Sequence, residues 1–193
     1  MAHWVSEFAG VDLNPGFAPN YRESMNTSTS THTPAGTRHP GLGLVLAGGL
    51  VAGALDLTFA FLFYGPSGAT PVRILQFIAS GLLGQGSFQM GLQSAALGAF
   101  CHFFISVCAA GIYYLASLRF ALLTRRIILA GAIFGILVFL TMRFVVVPLS
   151  AVKSGPMKLR SVIGELCSHV ILFGMPIAYA VSRAAQRRIR RLD

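Results

Sequence analysis

Four runs of the chain are apolar for about as long as a bilayer is thick: Leu42 to Tyr64, Leu92 to Ser117, Ile127 to Leu149 and Val162 to Ser182. Each meets the roughly 20 residues that a helix needs to cross the hydrocarbon core. Lipid offers no partner to a backbone N–H or C=O, so such runs close their hydrogen bonds internally, as helices. None carries the charged face that a water-facing helix shows. The pattern predicts an all-α polytopic membrane protein with four transmembrane helices, over about 42–64, 92–117, 127–149 and 162–182.

The stretch from Thr70 to Gly91 is the one rival for a fifth span. Thr70 suits a helix N-cap and Pro71 its first turn. Arg73, Gln76 and Ser80 recur at helical spacing opposite Ile74, Leu75, Ile78 and Leu82, and Gly81, Gly84 and Gly86 then interrupt the pattern. That is an amphipathic helix, either interfacial or re-entrant, between the first two spans. The run Gly81–Gly86 has neither the Lys-Ser/Thr of a phosphate loop nor a preceding strand, and reads as a bend.

Composition agrees with lipid as solvent: 54% of residues are hydrophobic and 11% charged, against roughly 25% charged in soluble domains. Residues 1–40 are polar and rich in Ser, Thr, Asn, Gly and Pro, and are expected to form a disordered cytoplasmic tail. No apolar run precedes Leu42, so no signal peptide is expected and the mature chain is expected to keep its N-terminus. The formal charge of +9 does not point to nucleic acid, because the basic residues flank apolar spans instead of lining a groove. With four spans, ten arginines fall on the side of both termini, while Arg73, Lys153, Lys158 and Arg160 fall on the other. The excess marks the cytoplasmic side. Localisation in a bacterial inner membrane with both termini cytoplasmic is therefore expected, residues 41–183 forming the membrane domain and 184–193 a basic cytoplasmic tail. Arg187, Arg188, Arg190 and Arg191 in that tail suit anionic lipid headgroups, or serve only as an orientation signal. Gly49 with Gly53 and Gly131 with Gly135 form GxxxG pairs, which pack helices within the bundle or between protomers of a homo-oligomer.

Ionisable groups inside spans cost about 2.5 to 3.5 kcal/mol each on insertion scales and are functional candidates by default. There are five: Asp56, His102, Arg143, Glu165 and His169. At 1.5 Å per residue, Asp56 and Arg143 come out roughly 21 and 24 Å from the cytoplasmic ends of their spans. Their similar heights suggest an ion pair, structural or functional. Glu165 and His169 lie four residues apart on one helix face, the spacing of a carboxylate–imidazole relay. All five belong to the middle or outer half of the bilayer. Each also has a plain reading: His102 as a packing residue, Glu165 as a solvated rim residue.

Metal ligation by the imidazoles and carboxylates has no recognised spacing behind it, HExxH being absent. Cys101, Cys108 and Cys167 form no CxxC pair and read as small apolar residues. No GxSxG elbow surrounds Ser80, Ser87 or Ser94. No cofactor is expected.

The stretches His102-Phe103-Phe104-Ile105-Ser106, Gly111, Tyr113, Pro148-Leu149 and Glu165-Leu166-Cys167-Ser168-His169 resemble the YagU-type uncharacterised inner-membrane proteins of bacteria. A set of proteobacterial four-span proteins is similar through Leu75-Gln76, Ile78 to Gly84 and Val145 to Ser150. The resemblance covers spans two to four, and implies a four-span inner-membrane protein with no established reaction. His102, Glu165 and His169 match polar positions of the pattern. Arg143 stands where relatives carry another polar residue, and Asp56 does not carry over. The functional expectation is a non-enzymatic membrane protein that binds or relays a proton or small solute through the outer-half polar cluster. An intramembrane metal-assisted enzyme and a structural or accessory protein without a site are the alternatives. Membrane lipids are the expected partners.

Overall fold

The fold is that of a computed structural model, which describes residues 41–152 and 158–189, with the side chains of 188 and 189 outside that description. The expected tail of residues 1–40 and the tail arginines Arg190 and Arg191 lie outside the described residues. The first helix, α1 (Leu42–Tyr64), ends in a 3-10 turn over Gly65–Ser67. Thr70 then caps α2 (Pro71–Leu83), its hydroxyl accepting from the Arg73 N–H at 3.2 Å. Gly84, at φ +61°, turns the chain left-handed into a 3-10 segment, in keeping with the bend expected of the glycine run. Next along the chain are α3 (Leu92–Ser117), the single turn α4 (Leu122–Arg125), α5 (Ile127–Thr141) and α6 (Val147–Leu149). Last come α7 (Leu159–Ser168) and α8 (Met175–Ile189). Four continuous helices are long and apolar enough to cross a membrane, over Leu42–Ser67, Leu92–Ser117, Ile127–Leu149 and Leu159–Arg187.

Two of these helices are interrupted by π turns, Met142–Val146 between α5 and α6 and His169–Gly174 between α7 and α8. Each ends two residues before a proline, Pro148 and Pro176. A helical proline donates no hydrogen bond and crowds the carbonyl four residues back, here that of Phe144 or Leu172. Both carbonyls lie inside the π turns, where i→i+5 bonding lets the helix continue past the ring. One turn carries Arg143 and the other begins at His169.

Small residues draw the helices together. A methyl group on Gly49 or Gly53 would press on Ser106 or Val107 of α3, and one on Gly48 would meet Ala180 of α8. Gly131 and Gly135 lie against the backbone of the second π turn and the start of α8. Both GxxxG pairs are thus spent within one chain, so they give no support to a homo-oligomer. Ala52, Ala110, Tyr113, Ile177 and Val181 form the centre of the resulting core.

Helix α2 packs on α3, with Gly98 directly against the Leu75 carbonyl. Two of its three polar stripe residues face inward, and the third, Arg73, is exposed. Gln76 and Ser80 are buried, and Gln76 Nε2 donates to the Gly91 carbonyl at 3.0 Å. Phe77, Leu82 and Leu83 are exposed instead. The C-terminal end of α2 also reaches the far end of the third span, where the Ala151 N–H donates to the Gly81 carbonyl at 3.1 Å.

Candidate functional site

Beyond the small-residue core, larger side chains separate the helices and leave a cavity of about 530 Å³, a volume in the range of small-molecule sites. Its walls come from α1, α3, the third span and α7, and α2 lies along it with Arg73, Ile74 and Phe77. All five ionisable residues singled out from the sequence line this one cavity. Most of the remaining lining is aliphatic or aromatic, including Leu57, Ile105, Phe139 and Phe173.

Asp56 accepts a hydrogen bond of 2.6 Å from Ser168 Oγ, and His169 Nδ1 is 3.8 Å from the same carboxylate oxygen. The expected partner Arg143 is not within 4 Å of it; among the described residues the His169–Asp56 contact is the only carboxylate–cation approach at that range. The reason is local. An i→i+5 turn adds a residue to the helix and rotates the residues beyond it by roughly 100° relative to an unbroken α-helix. Arg143 stands inside such a turn. It is half-buried, lines the cavity, and has neither hydrogen-bond nor ion-pair partner among the described residues.

Glu165 and His169 meet, but through the backbone. His169 Nδ1 donates to the Glu165 carbonyl at 2.8 Å, while the Glu165 carboxylate accepts from the Tyr64 hydroxyl at 2.6 Å. The side-chain relay expected from their spacing is therefore not closed. Gly164 lets α7 approach α1 this closely, since a methyl group there would collide with the Phe63 ring.

His102 Nε2 lies 2.9 Å from the Gly53 carbonyl. A carbonyl only accepts, so Nε2 is the donor and Nδ1 of a neutral ring remains an acceptor. By the same reasoning His169 keeps Nε2 for another partner. Ser106, one turn on from His102, is buried, donates to the His102 carbonyl at 2.8 Å and lines the cavity.

Sequence reasoning missed three residues that line the cavity, Tyr64, Ser106 and Arg73, and a fourth, Ser168, that bonds to one that does. Tyr64 and Ser168 hold the two carboxylates, Ser106 adjoins His102, and Arg73 stacks 4.1 Å over the Phe88 ring. Ser168 stands beside His169 and three residues after Glu165, a spacing that could have placed it on the same face.

No family model, curated protein or solved structure matches the chain. Its chemistry is therefore read from the cavity itself.

The donors do not gather as a metal site: among the described residues no three His, Cys, Asp or Glu side chains could hold one ion. Asp56 and Glu165 each accept a hydrogen bond from a hydroxyl, Ser168 and Tyr64. Elsewhere, Arg187 shares a surface groove with Arg183, Tyr179, Gln186 and Leu44. There Arg183 Nε and one of its terminal nitrogens donate to the Tyr179 hydroxyl at 3.1 and 3.0 Å.

Proposed function

We propose that this is a four-span bacterial inner-membrane protein, with both termini cytoplasmic, that binds a small solute in the cavity. The observation that carries the reading is the convergence of Asp56, His102, Arg143, Glu165 and His169, contributed by all four spans, on a single space with largely apolar walls. Buried ionisable groups are costly in lipid and face functional cavities when they are retained. The apolar walls supply affinity, and the few polar groups fix orientation.

Asp56, with Ser168 and His169 around it, is a polar anchor on the wall of the cavity. Glu165 and Tyr64 tie the end of α1 to α7 beside it. The distribution of arginines around the spans supports the orientation. The burial of Gln76 and Ser80 on α2, with Phe77 and Leu82 exposed, supports a re-entrant helix dipping into lipid over an interfacial one. Kinship with YagU-type proteins is part of the same proposal and rests on the resemblance of the His102 and Glu165–His169 stretches. A metal-assisted reaction has less support, because the carboxylates and imidazoles do not share a focus.

A thermal-shift survey of small apolar and amphiphilic solutes on purified protein tests the reading, using Ala60→Phe to fill the cavity. Solutes that raise the midpoint of the native protein are expected to lose that effect in the variant. Equal shifts in both would place binding elsewhere and remove the reading.

A further inference from the structure

Six Asp, Glu, His and Arg side chains line the cavity, and four of them have a hydrogen-bond partner inside the protein. Asp56 has the Ser168 hydroxyl, Glu165 the Tyr64 hydroxyl, His102 the Gly53 carbonyl and His169 the Glu165 carbonyl. Arg143 has none among the described residues, although it carries five N–H donors. Arg73, on the same cavity, is engaged only through its face on Phe88. The guanidinium groups on the cavity without a carboxylate partner among the described residues are thus Arg143 and Arg73, both hydrogen-bond donors. A guanidinium in such a position selects planar oxyanions, which it holds bidentately.

The opening says how the anion arrives. Phe77 of α2 lines the cavity and is at the same time 44% exposed. The cavity therefore reaches the apolar surface of the bundle beside α2. A ligand entering there carries a hydrocarbon portion. Together these observations identify an amphiphile, apolar along Phe77 and anionic at Arg143.

We propose that the cavity takes a single-chain amphiphile with a carboxylate or phosphate head, the head on Arg143 with Arg73 beside it and the chain leaving past Phe77. The proposal rests on the cavity being the binding site and adds the class of its occupant. Asp56 and Glu165 do not compete for the role of head-group partner, since an ionised carboxylate only accepts hydrogen bonds and offers an anion no donor.

The test uses the full chain in phosphatidylcholine vesicles and a photoactivatable twelve-carbon fatty acid. Labelled peptides are expected to come from α2 and the Met142–Val146 turn. Laurate and dodecyl phosphate should both displace the probe, and their ratio shows whether a carboxylate or a phosphate head is preferred. Dodecanol and dodecyltrimethylammonium should not. Arg143→Gln should lower labelling about tenfold, as loss of a charge-assisted pair does. Arg143→Lys, which keeps the charge without the fork, should retain an intermediate level and guards against misfolding of the glutamine variant. Equal labelling of native, Arg143→Gln and Arg143→Lys proteins overturns the proposal. If dodecanol or the ammonium compound displaces the probe as well as laurate does, the anionic head is refuted while the cavity reading stands. Labelling that Ala60→Phe leaves unchanged refutes both.

Discussion

Ser168 Oγ donates to Asp56 Oδ1 at 2.6 Å, joining the fourth span to the first at a carboxyl group that lines the cavity. The acceptor is a carboxyl group whose side chain is only 15% exposed. Removing the hydroxyl leaves the carboxylate with His169 at 3.8 Å as its remaining close partner.

Ser168→Ala should therefore destabilise the protein by about 1–3 kcal/mol, the cost of a buried polar group deprived of its donor. Asp56→Asn should cost less, because an amide oxygen still accepts from Ser168 and the charge is gone. Thermal melts of both variants in one detergent check the order. A larger loss for Asp56→Asn than for Ser168→Ala would contradict the assignment.

The glycines divide into those that meet a neighbour and those that do not. A methyl group on Gly135 would run into the His169 carbonyl and Val170, backbone that cannot swing aside. Gly135→Ala should cost at least about 3 kcal/mol, the upper end of overpacking. Nothing lies within 4 Å of the corresponding position on Gly43, so Gly43→Ala should be neutral or stabilising by up to about 1 kcal/mol. Unfolding of the two variants in parallel is the measurement.

Leu82, 69% exposed on α2, reports where that helix lies. A spin label placed there should collide freely with oxygen and little with a water-soluble nickel chelate if α2 dips into lipid. The opposite preference would return α2 to the membrane surface.

The spans were legible because lipid imposes one rule on every residue of a helix. The runs at 42–64, 92–117 and 127–149 coincide with the helices found. The fourth helix starts at Leu159 and continues to Ile189, beyond the apolar run at 162–182, because backbone hydrogen bonding carries it past the end of the hydrocarbon-compatible stretch. Thr70-Pro71 announced α2 correctly through its cap. Rotation about the helix axes was not legible. Asp56 and Arg143 were matched by height along ideal helices, whereas Arg143 stands inside a π turn. The signal was present in Pro148 and Pro176, each two residues past such a turn, but a proline says only that the helix must adjust and not by which turn. Ser168 and Tyr64 escaped notice for another reason. Neutral hydroxyls cost little enough in a span that they do not stand out, yet they are what the two carboxylates bind.

The most direct test of a solute-accessible cavity is thiol reactivity at two positions of α1. Ala60 lines the cavity, and Leu46 is exposed on the outside of the bundle. In a chain with Cys101, Cys108 and Cys167 changed to alanine, a single cysteine is placed at either site and treated with N-ethylmaleimide in native membranes. The reagent needs a thiolate, which forms only where polar groups or water support the charge. Modification at 60 with little at 46, and protection of 60 by a solute that raises the melting midpoint, is the predicted result; a cysteine at 60 as inert as one at 46 would contradict the account.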